Sequence, residues 1–516
     1  MTLDIAKRTV RGSLVLFASN MTATAINAVT LIVVARLLGP AGYGTYSLAL
    51  VIPSILQLFI GFGALPAVVR YSAYYATIGR QEDARRFTNN VMIFLFVTGA
   101  ILTAVSFLLA GSLSGLILQR PDLGPYVQLT SVAVLGTTIL QAATTVAIGW
   151  NWMVLSGSVS VLQAVIKVAL SPLLVLVGFG VYGALVGHLA SFFVAGSIGV
   201  IILYLWKLKG SRSGGSFIDD VKEMNVYGIP VYVGTVLAGL ASYFVLVLLS
   251  RIASLTVYGY YQAANNFISP IGLLASAMIS ALFPAFASID GVKADVNTAF
   301  RHAYRFVAFL LTPSVLFFVA SAGPLVSLLY GPAYESSVPY LQLLALANLP
   351  IAFGYSVHPA FFNGFNRTRL TFVLYLVSSL AVFLTAPLLA QTYGLGVDGL
   401  IYAIFISYFV AWAVGTYLAS RFLHARLDIL STVKILLVSG ASYVAVVILP
   451  ATRFVLLNLV LDIVVFFGVY LTLTPLVKAI ATGDMDLIEV TLSEPPLVGK
   501  VLSPFLRYLR FLASLT

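Results

Sequence analysis

Apolar runs of about twenty residues or more recur along almost the whole chain, separated by short polar and basic stretches. A helix rises 1.5 Å per residue, so about 20 apolar residues cross a hydrocarbon layer roughly 30 Å thick. The pattern predicts transmembrane helices over residues 12–35, 43–68, 89–111, 125–148, 156–179, 182–206, 228–250, 257–286, 304–329, 338–362, 370–391, 398–420, 431–451 and 454–476. The fifth and sixth spans, and the thirteenth and fourteenth, are separated only by short turns. The first span follows Lys7, Arg8 and Arg11 and is too long for a signal-peptide core, so it reads as a retained helix.

Composition agrees with an all-α polytopic membrane protein of about 14 transmembrane helices. Of 516 residues, 60% are hydrophobic and 9% charged, whereas soluble domains carry about 25% charged residues. There is no cysteine, which excludes disulfides and thiolate metal sites. His188, His302, His358 and His424 are far apart and have no metal-ligand spacing. No metal or cofactor is expected.

The net charge of +11 raises the question of a nucleic-acid partner, and topology answers it. With the N-terminus cytoplasmic, 23 of the 28 Lys and Arg residues fall on inner segments. Only Arg36, Arg120, Arg251 and Arg453 fall outside, and Lys167 lies within a span. That asymmetry is the positive-inside rule, and a miscount by one helix midway would scramble it. The excess charge is topological, no nucleic-acid partner is implied, and both termini are cytoplasmic.

The chain also repeats itself. Arg36, Tyr43, Gly44 and Tyr46 align with Arg251, Tyr258, Gly259 and Tyr261 at an offset of 215 residues. Arg86-Phe87 aligns with Arg305-Phe306, and the segment from Gly111 with that from Gly323. The order predicts that spans one to six correspond to seven to twelve. An even number of spans per copy gives parallel repeats. The expected fold is two pseudo-symmetric six-helix lobes around a central cavity plus two extra helices. Its expected divisions are 1–210, 211–425, 426–477 and a cytoplasmic tail over 478–516.

Lys167 is the only charge in its span. A lipid-facing lysine at mid-bilayer costs roughly 2.5–3.5 kcal/mol on insertion scales. Ser156, Ser160, Gln163, Lys167 and Ser171 are spaced 4, 3, 4 and 4 apart. At 100° per residue they form one narrow stripe, which faces protein or water. Asn20, Thr24 and Asn27 form a shorter stripe in the first span, and Gln262, Asn266, Ser269, Ser276 and Ser280 one in the eighth. Two readings of Lys167 stay open: it lines a substrate cavity, or it pairs with a buried carboxylate, for which Asp462 is the candidate. Ser and Gln stripes also serve helix–helix contacts. Arg36 and Arg251 suit either interface anchoring or ligand contact, and His358 reads foremost as a hydrogen-bonded packing residue. The candidate substrate-binding set is Lys167, Gln163, Ser160, Asn27, Arg36, Arg251, Asn266 and Gln262. No catalytic residue is expected.

Several blocks carry a family resemblance. "ARLLGPAGYGTYSLAL" from Ala35, "GFGALPAVVRY" from Gly61, "LLYGPAYESSVPYLQLLALA" from Leu328 and "FFNGFNRTRL" from Phe361 occur in that order. They resemble the prokaryotic polysaccharide/O-antigen flippases of the multidrug/oligosaccharidyl-lipid/polysaccharide exporter superfamily. The resemblance implies two six-helix bundles working by alternating access in the plasma (inner) membrane. The implied substrate is a polyprenyl-(pyro)phosphate-linked oligosaccharide, moved from the inner to the outer leaflet. A phosphate and a hydroxyl-rich headgroup do not cross hydrocarbon unaided. Lys167 would meet the phosphate and the amides the sugar. The alternatives are a peptidoglycan-precursor flippase and a cation-coupled multidrug exporter of the same superfamily. The exporter usually carries an intramembrane carboxylate, where this chain has a lysine. The adjacent acid pairs Glu82-Asp83 and Asp219-Asp220 lie on cytoplasmic segments, and there is no P-loop pattern. No enzymatic activity and no ATP hydrolysis are expected.

The tail joins an acidic connector to "LVGKVLSPFLRYLRFLASL", with Lys500, Arg507 and Arg510 among large apolar residues. It is too polar to span and reads as an amphipathic segment lying on membrane lipids. Packing on the bundle, or recruiting a glycan-assembly enzyme, are the other readings.

Overall fold

The computed structural model describes residues 2–209, 216–289 and 296–479. The tail expected over 478–516 lies outside them from residue 480 onward. The regular elements of the described residues are all helices, without strands, as the spans require. The α-helices are α1 (Thr2–Ala49), α2 (Val51–Gln57), α3 (Ala64–Thr77), α4 (Gln81–Leu108), α5 (Ala110–Leu113), α6 (Gly124–Ser131), α7 (Ala133–Gly149), α8 (Met153–Leu174), α9 (Gly180–Leu203), α10 (Phe217–Ile252), α11 (Leu255–Ile289), α12 (Val296–Ala320), α13 (Ala322–Leu329), α14 (Val338–Ala347), α15 (Val357–Gly364), α16 (Thr368–Pro387), α17 (Gly396–Leu423), α18 (Ile429–Val447) and α19 (Val455–Leu476).

Twelve stretches of the described residues are long and apolar enough to cross a membrane. Two are far longer than one crossing, Leu14–Thr77 with 64 residues and Met153–Leu208 with 56. At 1.5 Å per residue they would extend about 96 and 84 Å, against roughly 30 Å of hydrocarbon. Each breaks where the sequence allows it. Gly39 takes φ 67°, ψ 174° just before Pro40, and Gly178 takes φ 104° inside the π-turn Val175–Phe179. With each stretch counted as a pair, fourteen crossings are accommodated.

The duplication is visible in the backbone. After α4 come the short α5, a 3-10 turn at Pro121–Leu123, the interrupted α6–α7, and α8 joined to α9 by a π-turn. After α12 come the short α13, a 3-10 turn at Pro332–Ser337, the interrupted α14–α15, and α16 joined to α17 by the π-turn Leu388–Thr392. Left-handed asparagines follow α7 and α15, Asn151 (φ 55°) and Asn366 (φ 53°). Asparagine is among the few L-residues that enter this region readily. Both stand in a Gly-aromatic-Asn triplet, Gly149-Trp150-Asn151 and Gly364-Phe365-Asn366, a further match in the sequence that the repeat comparison passed over.

The chain divides into two compact units, Met1–Gln262 and Ala263–Thr516. In the first, α8 packs between α1 and α9, and α9 lies on α7. Its core joins Val68, Phe87, Leu95, Val146 and Val159, all buried. α10 packs on α2, α3 and α4. Here the repeated Tyr-Gly motif finds its use. A Cβ on Gly44 would sit 1.9 Å from the Leu255 carbonyl oxygen, and one on Gly259 would sit 2.0 Å from that of Pro40. The repeat-related glycines therefore face each other, and the backbones of α1 and α11 touch where no side chain fits.

The second unit has an aromatic core of Phe286, Phe300, Tyr304, Phe361 and Phe362. α18 and α19 are seated on α12 by Ile435, Val438 and Tyr470. The outward faces stay apolar: Leu384 is 73% and Leu437 66% exposed. In a membrane helix such faces meet lipid.

Candidate functional site

The polar stripe of the fifth span is not one surface. Ser171 donates to the Ala184 carbonyl at 3.1 Å, where Gly187 brings α9 against the Ser171 backbone. Gly157, beside the buried Ser156, lies against Ser19 of α1. Ser160 donates to the Ser156 carbonyl of its own helix. Ser156 and Ser171, at the two ends of the stripe, thus serve helix packing, as small polar residues often do in membranes. The middle differs.

Gln163 is buried and donates its amide to Ser191 Oγ on α9 at 2.9 Å. Its Oε1 is approached by Asn27 Nδ2 of α1 at a long 3.5 Å. Ser191 donates to the His188 carbonyl at 2.7 Å. The His188 ring in turn meets the Tyr46 hydroxyl at 2.7 Å. One hydrogen-bonded chain therefore runs from α1 through α8 and α9 and back to α1 beyond its kink. His188, Ser191 and Tyr46 were not singled out as site members from the sequence. Their sequence signals are the three-residue spacing of His188 and Ser191, which puts them on one helix face, and the place of Tyr46 in the repeated Tyr-Gly motif.

Lys167 lies one helical turn beyond Gln163. It is 6% exposed, and its ammonium is within Coulombic reach of His188. Among the described residues it makes no hydrogen bond and no ion pair. The carboxylate clamp that the sequence left open has no counterpart there, and Asp462 of α19 instead lies beside Ser321. Removing an ammonium from water without a partner costs several kcal/mol. A carboxylate, phosphate or other anion presented to this position would recover that cost.

The remaining candidates are not part of this cluster. Arg36 is exposed on α1 ahead of the Gly39 kink. Arg251 donates to the carbonyls of Ile117 at 2.9 Å and Leu116 at 3.3 Å, so it anchors the end of α10 to the turn after α5. Gln262 keeps a buried Oε1 that accepts no hydrogen bond among the described residues. Asn266, in the second unit, donates to the Tyr330 hydroxyl at 3.0 Å. His358 is fully buried, between the Tyr304 hydroxyl and Gly415, a packing position. Among the described residues no cluster of three His, Cys, Asp or Glu side chains is arranged to hold a metal ion.

The fold resembles solved transporters. A structure titled lipid II flippase MurJ, inward closed conformation, superposes with a TM-score of 0.72 at 16% identity, covering 90% of this chain and 98% of that one. An inward-facing multidrug resistance MATE family transporter of the MOP superfamily gives 0.63 at 19% identity, covering 78% and 96%. At these identities the likeness is one of fold. In sequence, the succinoglycan biosynthesis transport protein ExoT of Rhizobium meliloti (strain 1021) is 25% identical over 328 residues, 62% of each chain. An uncharacterized membrane protein of Methanocaldococcus jannaschii is 21% identical over 256 residues, 49% of this chain and 50% of that one. The chain thus matches less than two thirds of the length of these curated relatives. The model of the polysaccharide biosynthesis protein family matches residues 33–339, more than half of the sequence. The chain belongs to the polysaccharide biosynthesis protein family.

Proposed function

We propose that this protein is a flippase that carries polyprenyl-(pyro)phosphate-linked oligosaccharide from the inner to the outer leaflet by alternating access. The observation that carries the reading is Lys167: a buried cation, mid-helix, without a partner among the described residues and next to an amide and hydroxyl network. In this reading Lys167 receives the phosphate, and Gln163, Ser160 and Asn27 receive the sugar. Gln262, whose carbonyl oxygen accepts no hydrogen bond among the described residues, is a further polar contact. Asn266, Arg36 and Arg251 stand outside the cluster. The protein sits in the plasma (inner) membrane with both termini cytoplasmic. Residues 1–210 and 211–425 act as the two lobes, and 426–477 supply two added helices. No covalent bond is made or broken, so no enzymatic activity is assigned. A transport role in succinoglycan biosynthesis for one relative, and lipid II flipping for one structural neighbour, support a lipid-linked sugar as substrate. A cation-coupled exporter fits less well, because spans three to six contain no acid in their interiors.

Reconstitution in liposomes with a labelled polyprenyl-pyrophosphate oligosaccharide tests this. A charged hydrogen bond to phosphate contributes about 1.5–3 kcal/mol. Lys167→Ala should therefore slow exposure of the sugar to the outer leaflet by about ten- to a hundredfold, with Lys167→Arg retaining part of the rate. Wild-type rates in Lys167→Ala would remove the residue from the mechanism.

A further inference from the structure

The hydrogen-bonded chain of the first unit ends on an imidazole with one nitrogen to spare. His188 Nδ1 and the Tyr46 hydroxyl lie 2.7 Å apart, and the ring packs edge-on against Phe192, centroids 4.8 Å apart. Tyr46 is 2% exposed, and among the described residues this ring nitrogen is the acceptor its hydroxyl has. A buried hydroxyl hydrogen without an acceptor is costly, so Tyr46 donates and Nδ1 accepts. That excludes the neutral tautomer with its hydrogen on Nδ1. The other neutral tautomer carries the hydrogen on Nε2, and a protonated ring carries one there too. Nε2 is therefore a donor whatever the charge of the ring.

Nε2 donates to nothing among the described residues, and neither does the Lys167 ammonium of α8, within Coulombic reach of the ring. Neither nitrogen belongs to the sealed polar atoms that lack a partner, so each touches the open surface, although Lys167 as a whole is buried. The helices α7, α8 and α9 contain no Asp or Glu. Two donors with no carboxylate on their helices complement an anion that has several acceptor oxygens, as phosphate and pyrophosphate do.

The second repeat shows that this joint packs without them. A Cβ on Gly183 of α9 would lie 2.8 Å from the Leu174 carbonyl carbon, and one on Gly399 of α17 would lie 2.7 Å from that of Leu389. The pairs match at offsets of 216 and 215 residues. In that register Gln163 and Ser191 correspond to Ser378 and Ser407, whose hydroxyls are 2.8 Å apart. Lys167 corresponds to Val382 and His188 to Ile404. Both copies keep the polar contact between the two helices, whereas the second has aliphatic residues in both places of the donor pair. Packing therefore does not call for the two donors.

We propose that Lys167 and His188 form a two-donor seat for phosphate oxygens of the substrate, Lys167 supplying the charge and His188 a hydrogen bond from Nε2, with Tyr46 as the positioning residue that keeps the donor on that nitrogen. The inference deepens the flippase reading and rests on it for the substrate. The chemistry recognised is the phosphate oxygen, which a lipid headgroup and free pyrophosphate share.

Binding of polyprenyl pyrophosphate to the full-length protein in nanodiscs, with inorganic pyrophosphate as a second probe, tests it. His188→Gln places an N–H near the position of Nε2 and should bind within about threefold of wild type. His188→Asn places its amide near the position of Nδ1, keeps a partner for Tyr46 and reaches no further, so it should bind about tenfold more weakly. His188→Ile, the residue of the second repeat, should melt with the wild type and bind as weakly as the asparagine variant. In the nitrogen NMR spectrum of histidine-labelled protein, the ring lost in His188→Gln should carry its hydrogen on Nε2, and Tyr46→Phe should release the other tautomer. Asparagine binding as tightly as glutamine, or a hydrogen on Nδ1 alone in the wild type, would overturn the seat. Weak binding in Lys167→Ala with no change across the His188 series would overturn it and leave the flippase reading standing. The glutamine-over-asparagine order on inorganic pyrophosphate, with no binding of polyprenyl pyrophosphate, would uphold the seat and sink the lipid-linked substrate instead. Binding of neither probe by the wild type would overturn both.

Discussion

Adding one methyl group at Gly44 should wedge α1 and α11 apart. The new Cβ of Gly44→Ala would lie 1.9 Å from the Leu255 oxygen, 2.9 Å from its carbonyl carbon and 3.1 Å from the Gly259 nitrogen. A carbon–oxygen contact needs about 3.2 Å, so the backbones must part by roughly 1.3 Å, and overpacking of this kind costs about 1–3 kcal/mol. Gly259→Ala makes the same demand from the other side, with its Cβ 2.0 Å from the Pro40 oxygen. Once the helices have separated for one methyl, the second meets little resistance. The double variant should therefore lose less than the sum of the singles, by about 1–2 kcal/mol of coupling. Gly272→Ala, also on α11, is the control: nothing lies within 4 Å of its Cβ, and replacing helical glycine gains about 0.5–1 kcal/mol. Thermal unfolding in detergent, followed by the four tryptophans, gives the order of midpoints. Two compact units do not guarantee two-state melting, so midpoints are compared and not converted to free energies. Strictly additive shifts, or a Gly44→Ala midpoint equal to that of Gly272→Ala, would refute the reciprocal contact.

Two other outcomes follow from the second unit. Burial by itself would raise the Asp428 carboxyl, but hydrogen bonds from Arg305 and Ser431 prevail and hold it below its ordinary value of 3.8. The stabilisation is therefore complete above the unfolded value and lost as pH falls through the lower folded one. Asp428→Asn should lower the melting midpoint at pH 7, because taking one partner out of a buried ion pair is strongly destabilising. It should also flatten the acid limb of the midpoint–pH curve, and an unchanged limb would count against a stabilising role for the Arg305–Asp428 pair. Tyr470→Phe removes a 2.8 Å hydrogen bond from α19 to the Phe309 carbonyl. It should cost about 1 kcal/mol, read as a modest drop in the same melting assay with transport rates unchanged.

The sequence by itself determined the elements. Runs of apolar residues have no other stable solution in a bilayer than helices, since each backbone donor must be satisfied within its own segment. The asymmetry of basic residues gave them an expected orientation, and the recurring Arg, Tyr-Gly and Arg-Phe positions pointed to the duplication. Lys167 stood out for the same reason, because one charge in an apolar helix is conspicuous whatever surrounds it. Which residues meet was decided only by the tertiary structure. Helical periodicity places Ser171 and Gln163 on one face but cannot say that the first bonds a neighbouring backbone while the second bonds Ser191. Nor can it say that Gly44 and Gly259, 215 residues apart, lie against each other, or that Arg86 and Arg305 each find an aspartate at the start of a later helix. A side chain's partner is set by the packing of helices distant in sequence, and a pattern read along one helix carries only the direction in which that side chain points.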